Sequence, residues 1–420
     1  MHRRGEYMAH NELILGLDVG TTKVAATVGR LGDTGLEIVS MSRVSNSGIR
    51  RGQVVDIGET VSAISAVLED SERITQQPLK TAIVGLGGAH VETTSSKGVI
   101  AVSRPDGEIT QQDVDRVLDA ARAVAMPANR EIIHVLPKAF TVDAEGGIVD
   151  PVGMTGIRLE VDAHVVSCAS PAVKNLVRAV SQAGLTVSEL VFTPLATAEI
   201  MLTRREKESG VALIDIGAGT TGLSVYEDGD LAHATILPIG SMHITHDIAI
   251  GLKTSIDLAE AVKIKYGTAM KETVRDDTID LTVIDPKELE RPKQRYVAEI
   301  IEARLSELFL MLKEELNRIG RDGTLPAGIV FTGSGAQLDH LVDFAKHTLH
   351  LPARLGVPIT EFPGNVDKLD DPTYATSVGL VLWGMSRQAA REPIAGKNFS
   401  LDSMEGVVGK AKDFFKQLLP

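Results

Sequence analysis

The chain has 420 residues, 43% hydrophobic and 24% charged, the composition of a globular protein of two or more domains and not of a disordered one. Its net charge of −13 argues against general nucleic-acid binding, though not against a local basic membrane contact; its one cysteine, Cys168, excludes a disulfide framework or thiolate zinc cluster and fits a reducing, cytoplasmic setting. No window approaches the ~20 apolar residues of a membrane span, and residues 1–10 have no apolar signal core behind them.

Residues 1–11 read as a disordered extension. Leu13–Val19 is a near-continuous apolar run, as expected of a strand buried on both faces, and a second strand-like run covers 24–28. Over 56–70, Ile57, Val61, Ile64, Val67 and Leu68 recur at helical spacing. Thr81–Leu86 reads as another buried strand, ended by Gly87-Gly88, and 99–102 as a short one. Thr110 is the expected N-cap of a helix burying Val114, Val117, Leu118 and Ala121. Strands are expected at 132–135 and 161–166. Ser170-Pro171 opens a helix, with Ser170 as its cap, a face of Val173, Leu176, Val177 and Val180, and Gly184 as its stop. Strands follow at 190–192, Val211–Ile216 and 223–226, a long helix at 297–319 and a last strand at 328–331. The charge-rich stretch 268–295 reads as a loop or peripheral hairpin. Cys168 reads as inert core, Trp383 as a packing residue of a late helix, and His243 and His246 as structural residues at a helix start. Strands and helices alternate throughout, so the class is α/β.

Two segments repeat one chemistry. Leu17-Asp18-Val19-Gly20-Thr21-Thr22-Lys23 and Ile214-Asp215-Ile216-Gly217-Ala218-Gly219-Thr220-Thr221 each end an apolar strand in Asp, turn through Gly and offer Thr. A carboxylate at the end of a buried strand is costly unless compensated, and a hydrated Mg²⁺ with its phosphates compensates two such groups. Asp18 and Asp215 are therefore the candidate metal ligands. Gly20, Thr21, Thr22 and Lys23, and Gly217, Ala218, Gly219, Thr220 and Thr221, are the candidate phosphate binders, through close backbone N–H groups, hydroxyls and one ammonium. Either segment alone equally suits a plain hairpin turn; the pair points to two related half-molecules facing one nucleotide. Neither has Walker spacing, and Gly85-x-Gly87 is an incomplete dinucleotide fingerprint. A third turn, Gly333-Ser334-Gly335-Ala336 after Phe331-Thr332, offers close approach to a base or sugar.

These three motifs, in order and spacing, resemble the actin/Hsp70/sugar-kinase ATPase fold. Within it the chain is similar to the FtsA family of actin-like bacterial cell-division proteins. The closer likeness rests on Ser47-Gly48-Ile49-Arg50-Arg51-Gly52-Gln53-Val54, Leu237-Pro238-Ile239-Gly240-Ser241 and the stretch from Ala259 to Gly267. It extends over about residues 12–420. The resemblance implies an actin-like two-domain fold with subdomain 1A at 12–86 and 165–206, and an inserted subdomain 1C at 87–164. Subdomain 2A and the return to 1A fall at 207–245 and 318–386, subdomain 2B at 246–317, and a linker at 387–402. A membrane-targeting amphipathic helix closes the chain at 403–420. The resemblance adds Gly240, Ser241, Glu260 and Lys263 to Gly333, Ser334, Gly335 and Ala336 as nucleoside-side residues. It also implies ATP and Mg²⁺ as cofactors, self-assembly into filaments, and FtsZ as a partner docking on 2B. Later divisome proteins would be met through 1C, at the cytoplasmic face of the cell (inner) membrane and the division site. One position departs from the active ATPases of the fold: Thr193, before Pro194, stands where they carry Glu, and Thr is a poor general base. Tight ATP binding with slow or negligible hydrolysis is expected.

On a helical wheel Met404, Val407, Val408, Ala411, Phe414, Phe415, Leu418 and Leu419 fall within roughly 140°, flanked by Lys410 and Lys412. That pattern suits a helix lying in a membrane interface, and equally one docked on its own core; the polar stretch before it favours the membrane. Two alternatives share the fold, an MreB-like shape-determining filament and a small-molecule kinase. Thr193, the C-terminal tail and the lack of a candidate catalytic base weigh against them.

Overall fold

A computed structural model describes residues 13–32, 35–123, 129–360, 362 and 369–391, with side chains to 387. The chain opens with β1 (Leu13–Val19), β2 (Lys23–Gly32) and β3 (Gly35–Ser45), an antiparallel meander. A small hairpin, β4 (Ile49–Arg50) and β5 (Gln53–Val54), leads into α1 (Ile57–Thr75), whose N-cap Asp56 accepts from Glu59 N. Then β6 (Thr81–Leu86) lies parallel to β1.

A subdomain is inserted next. It comprises β7 (Val91–Ala101), α2 (Gln111–Arg122), β8 (Arg130–Val142), β9 (Glu145–Ile148) and β10 (Arg158–Ala169). Its sheet runs β7-β10-β8-β9. Val114, Val117 and Ala121 of α2 pack on Leu159, Val161 and Phe140, which gives the insertion a core of its own. Thr110 begins α2 as expected, held by the Asp113 carboxylate, which accepts from Thr110 N and Oγ1 at 3.0 and 2.8 Å. The 99–102 strand is longer than expected and starts at Val91, because its polar residues 93–96 are paired with β10. β10 also crosses the boundary expected at 164 and continues to Ala169.

The chain returns through α3 (Ser170–Gln182), β11 (Thr186–Phe192), α4 (Thr193–Met201) and α5 (Arg204–Ser209). Ser170 is not the cap of α3: Ala169 holds the extended N-cap backbone, and Ser170 already lies in the helix. The first sheet is β11-β6-β1-β2-β3. The second half repeats this plan with β12 (Val211–Ile216), β13 (Thr221–Glu227), β14 (Asp230–Leu237), α6 (Ser241–Leu252), α7 (Ile256–Tyr266), α8 (Gln294–Arg318), β15 (Gly328–Thr332), α9 (Leu341–Leu349) and β16 (Ala353–Leu355). Its sheet is β14-β13-β12-β15-β16, the same order of two antiparallel and two parallel strand pairs. Residues 268–293 form a loop with two 3-10 turns and two isolated bridges, Thr268 to Asp339 and Thr278 to Lys293, and α8 begins at Gln294.

Finally α10 (Ala375–Arg391) crosses back to the first half. Its Gly379 meets α4 so closely that a Cβ would overlap the Ala196 carbonyl. Trp383 packs edge-on against His134 and donates to Glu189. The helix runs on past 387, where the linker was expected to begin. The extension 1–11 and the amphipathic tail, with Val407, Val408, Phe414, Phe415, Leu418 and Leu419, lie outside the described residues.

Candidate functional site

The two Asp–Gly–Thr turns are built alike. In each, the glycine N–H donates at 2.9 Å to a carbonyl three residues on, Gly20 to Lys23 and Gly217 to Thr220. Each Asp pairs across its hairpin with the residue seven positions later, Asp18 with Ala25 and Asp215 with Gly222. The two turns face one another across a narrow cleft of about 100 Å³ that opens to solvent. They approach closely at one point: a Cβ on Gly219 would lie 2.6 Å from Thr21 Oγ1.

Asp18, Gly20, Thr21, Thr22, Lys23, Asp215, Gly217, Ala218, Gly219, Thr220, Gly333 and Ser334 all line this cleft. Burial lifts both carboxyls above their usual range. For Asp18 the Lys23 ammonium opposes the rise; for Asp215 the Asp18 charge adds to it and the value reaches about 6. The Lys23 ammonium is lowered by burial and supported by Asp18, Asp215 and Asp371. Its Nζ donates to the Thr373 carbonyl, so with the cleft as it stands Lys23 ties the first loop to the start of α10. Asp215 Oδ2 is met at 3.5 Å by Thr376 Oγ1, which lies 3.1 Å from Thr197 Oγ1.

Thr221, Gly240, Ser241, Glu260, Lys263, Gly335 and Ala336 are not among the residues lining the cleft. Thr221 corrects an expectation: its hydroxyl is buried and donates to the Ile239 carbonyl at 2.7 Å, so it braces the turn and offers nothing to the cleft. Gly240 and Ser241 pack on the second loop, where Ser241 N and Met242 N donate to Gly217 O and Ala218 O at 2.9 Å. Glu260 and Lys263 pair with each other at 2.7 Å, and both also contact Thr245. Gly333 has φ +85°, and a Cβ there would overlap Asp215 Oδ1; Gly335 and Ala336 continue that turn over Ile216. His243 Nδ1 accepts from Gly240 N at the start of α6. Cys168 is buried, and its thiol is pushed up to about 12 by burial. Sequence reasoning missed Thr373, Thr376, Gly52, Gly85 and Gly87 as lining residues. Gly85 and Gly87 carried a signal in the incomplete glycine motif; Gly87 admits no Cβ because Thr193 Oγ1 fills that space.

A duplicated five-stranded sheet whose matching turns enclose one cleft defines the actin-like class. Solved structures agree in fold. The PilM chain of a PilM-PilN type IV pilus biogenesis complex aligns with a TM-score of 0.66 at 18% identity, covering 90% of this chain and 99% of that one. MreB5 of Spiroplasma citri bound to ADP gives a TM-score of 0.55 at 14% identity, over 91% of this chain and 100% of that one. Two family profiles then match the chain, "Cell division protein FtsA" over residues 212–379 and "SHS2 domain inserted in FTSA" over 88–167. The second coincides with the inserted sheet. Cell division protein FtsA of Pseudomonas aeruginosa is 36% identical over 94% of this chain and 95% of its own length. That of Bacillus subtilis is 38% identical over 89% and 84%, and that of Escherichia coli (strain K12) 32% over 89% and 90%. The chain belongs to the FtsA family of cell-division proteins. Among the described residues no helix is long and apolar enough to cross a membrane.

Proposed function

We propose that the chain is an ATP·Mg²⁺-binding filament subunit that tethers FtsZ filaments to the cytoplasmic face of the cell membrane and recruits later divisome proteins through its inserted subdomain. The observation that carries this reading is the meeting of two matching Asp–Gly–Thr turns in one cleft, with two carboxyls raised by burial and glycines that admit no side chain. Such carboxylates suit a divalent cation, and such glycines suit phosphate oxygens. Asp18 and Asp215 would hold the metal; the Gly20–Thr22 and Gly217–Thr220 turns would hold the phosphates. Bound Mg²⁺ would supply the charge that stabilises both carboxylates and the polyphosphate. MreB5 structures with ADP and AMPPNP support a nucleotide in this cleft.

Thr193 stands at the cleft wall with its hydroxyl against Gly87. No carboxylate lines the cleft other than Asp18 and Asp215 among the described residues. Hydrolysis is accordingly slow or absent, and ATP holds the two halves in an assembly-competent arrangement. The tail pattern supplies the membrane contact. Burying its Phe, Leu and Val side chains at ~1.5–3 kcal/mol each, less the ordering of the helix, makes one tail a marginal anchor and a filament of tails a firm one. Co-sedimentation of the full chain with anionic liposomes, with and without ATP and FtsZ, tests the reading. ATP-enhanced binding of chain and FtsZ together is expected, and Phe414→Glu should release both while leaving ATP binding intact. Sedimentation unchanged by Phe414→Glu rejects the tether.

A further inference from the structure

The phosphate end of the cleft is short of positive charge. Its lining holds two carboxylates, Asp18 and Asp215, and one cation, Lys23, already engaged by the Thr373 carbonyl. A nucleoside triphosphate brings further net negative charge even with a divalent cation, so a second cation at the mouth would offset it.

Arg51 stands at that mouth. It occupies the tip of the β4–β5 hairpin, which Asn46 straps to the first loop: Asn46 N and Nδ2 donate to Thr22 O and Gly20 O at 2.9 and 2.8 Å. The tip reaches the opposite half, since a Cβ on Gly219 would lie 3.2 Å from Arg51 N. On the other side Arg51 O accepts from Ala89 N at 3.3 Å, and Gly52 lines the cleft against Gly87. Arg51 and Gly52 have φ of +48° and +74°, as the two-residue turn joining β4 and β5 requires. The Arg51 side chain is exposed and makes no ion pair or side-chain hydrogen bond among the described residues. Its charge nevertheless reaches His243, in the first turn of α6 of the other half, whose protonation is disfavoured first by burial and then by cations including Arg304 and Arg51. The Arg51 backbone thus belongs to the first half while its N–H lies against Gly219 of the second loop. Arg50, equally exposed, precedes the tip and lies within β4.

We propose that Arg51 closes over the terminal phosphate of a bound nucleoside triphosphate and so separates triphosphate from diphosphate, an inference that rests on the nucleotide reading above. The planar guanidinium offers a two-pronged hydrogen bond to phosphate oxygens that a lysine cannot copy. Calorimetric titration of the full chain with Mg·AMPPNP and with Mg·ADP tests it, with thermal melts confirming that each variant is folded. Arg51→Ala should weaken AMPPNP binding about 10- to 100-fold and leave ADP binding within about twofold. Arg51→Lys should recover only part of the loss, and Arg50→Ala should match wild type. Equal losses for both nucleotides, an unchanged AMPPNP affinity in Arg51→Ala, or the same loss in Arg50→Ala overturns the inference. Wild-type protein that binds neither nucleotide overturns the nucleotide reading, and the role of Arg51 with it, so the two failures are distinguishable.

Discussion

Asp215→Asn should make the protein more stable without nucleotide and worse at binding it. Burial, and then the charge of Asp18, lift the Asp215 carboxyl to about 6, against an ordinary 3.8. A carboxyl with a higher pKa folded than unfolded binds its proton more tightly in the native state. Its contribution is therefore full below pH 3.8 and is lost as the pH rises through about 6. A gap of about two pH units corresponds to about 3 kcal/mol by which the ionised side chain burdens the empty protein at neutral pH and above. Asparagine carries no charge, fits the same space and keeps a partner in Thr376 Oγ1. Urea unfolding with a chelator and no nucleotide, between about pH 4 and pH 8, reads the effect as a difference from wild type. Asp215→Asn should gain up to about 3 kcal/mol at the alkaline end, with the gain shrinking below pH 6 and vanishing near pH 4. With Mg·AMPPNP present the ranking should reverse, because the variant has lost one proposed metal ligand. A variant that is less stable at pH 8 without nucleotide, or an advantage that does not change with pH, refutes the argument and shows Lys23 to compensate the pair fully.

His134 titrates in the opposite sense. Burial lowers it to about 4, and its Nε2 accepts from Phe192 N at 3.1 Å, so its stabilisation is present above pH 6.5 and is lost as the pH falls through about 4. His134→Gln should be less stable at neutral pH, with the deficit narrowing by about 3 kcal/mol toward pH 4 in the same urea series; parallel curves would count against it. Gly333→Ala puts a methyl group on Asp215 Oδ1 at a left-handed backbone position, so a loss of about 1–3 kcal/mol and weaker nucleotide binding are expected. Wild-type stability and affinity in that variant would remove the close-packing argument. Thr193→Ala should leave single-turnover ATP hydrolysis as slow as in the parent chain; fast hydrolysis abolished by this change would make Thr193 catalytic.

How much was legible follows from the range of each interaction. The loops at Asp18–Lys23 and Asp215–Thr221 were readable because their hydrogen bonds close within three residues, so strand, turn and donor all lie in one short window. Thr376 and Thr373 were not, because they act on Asp215 and Lys23 across 161 and 350 positions. A threonine in or beside a helix carries no local mark of such a role. The strand from Val91 was read short because Thr93, Thr94, Ser95 and Ser96 look like a loop; their pairing with β10 makes them sheet. The Ser170 cap missed by one residue because the cap is defined by backbone angles, and Pro171 permits either register. Thr221 was read as a donor from residue type alone, whereas burial commits its hydroxyl to Ile239.

The duplication is symmetric in backbone and asymmetric in charge. Lys23 and Thr220 hold the same place in their turns, each accepting the glycine N–H through its carbonyl. Only the first turn thus carries an ammonium, and it lies among acids from both halves and from Asp371. Burial, and then repulsion between the two facing carboxylates, lift Asp215 to about 6, and the ammonium opposes that rise only in part. The backbone, meanwhile, bends both glycine turns toward the same space, where a side chain at Gly219 or Gly333 has no room. Residual negative charge beside glycine turns calls for a ligand of both signs, a cation for the carboxylates and an anion for the turns. The fold thus repeats the cradle while the charge differs between its halves, the single lysine partly offsetting the two carboxylates from one side.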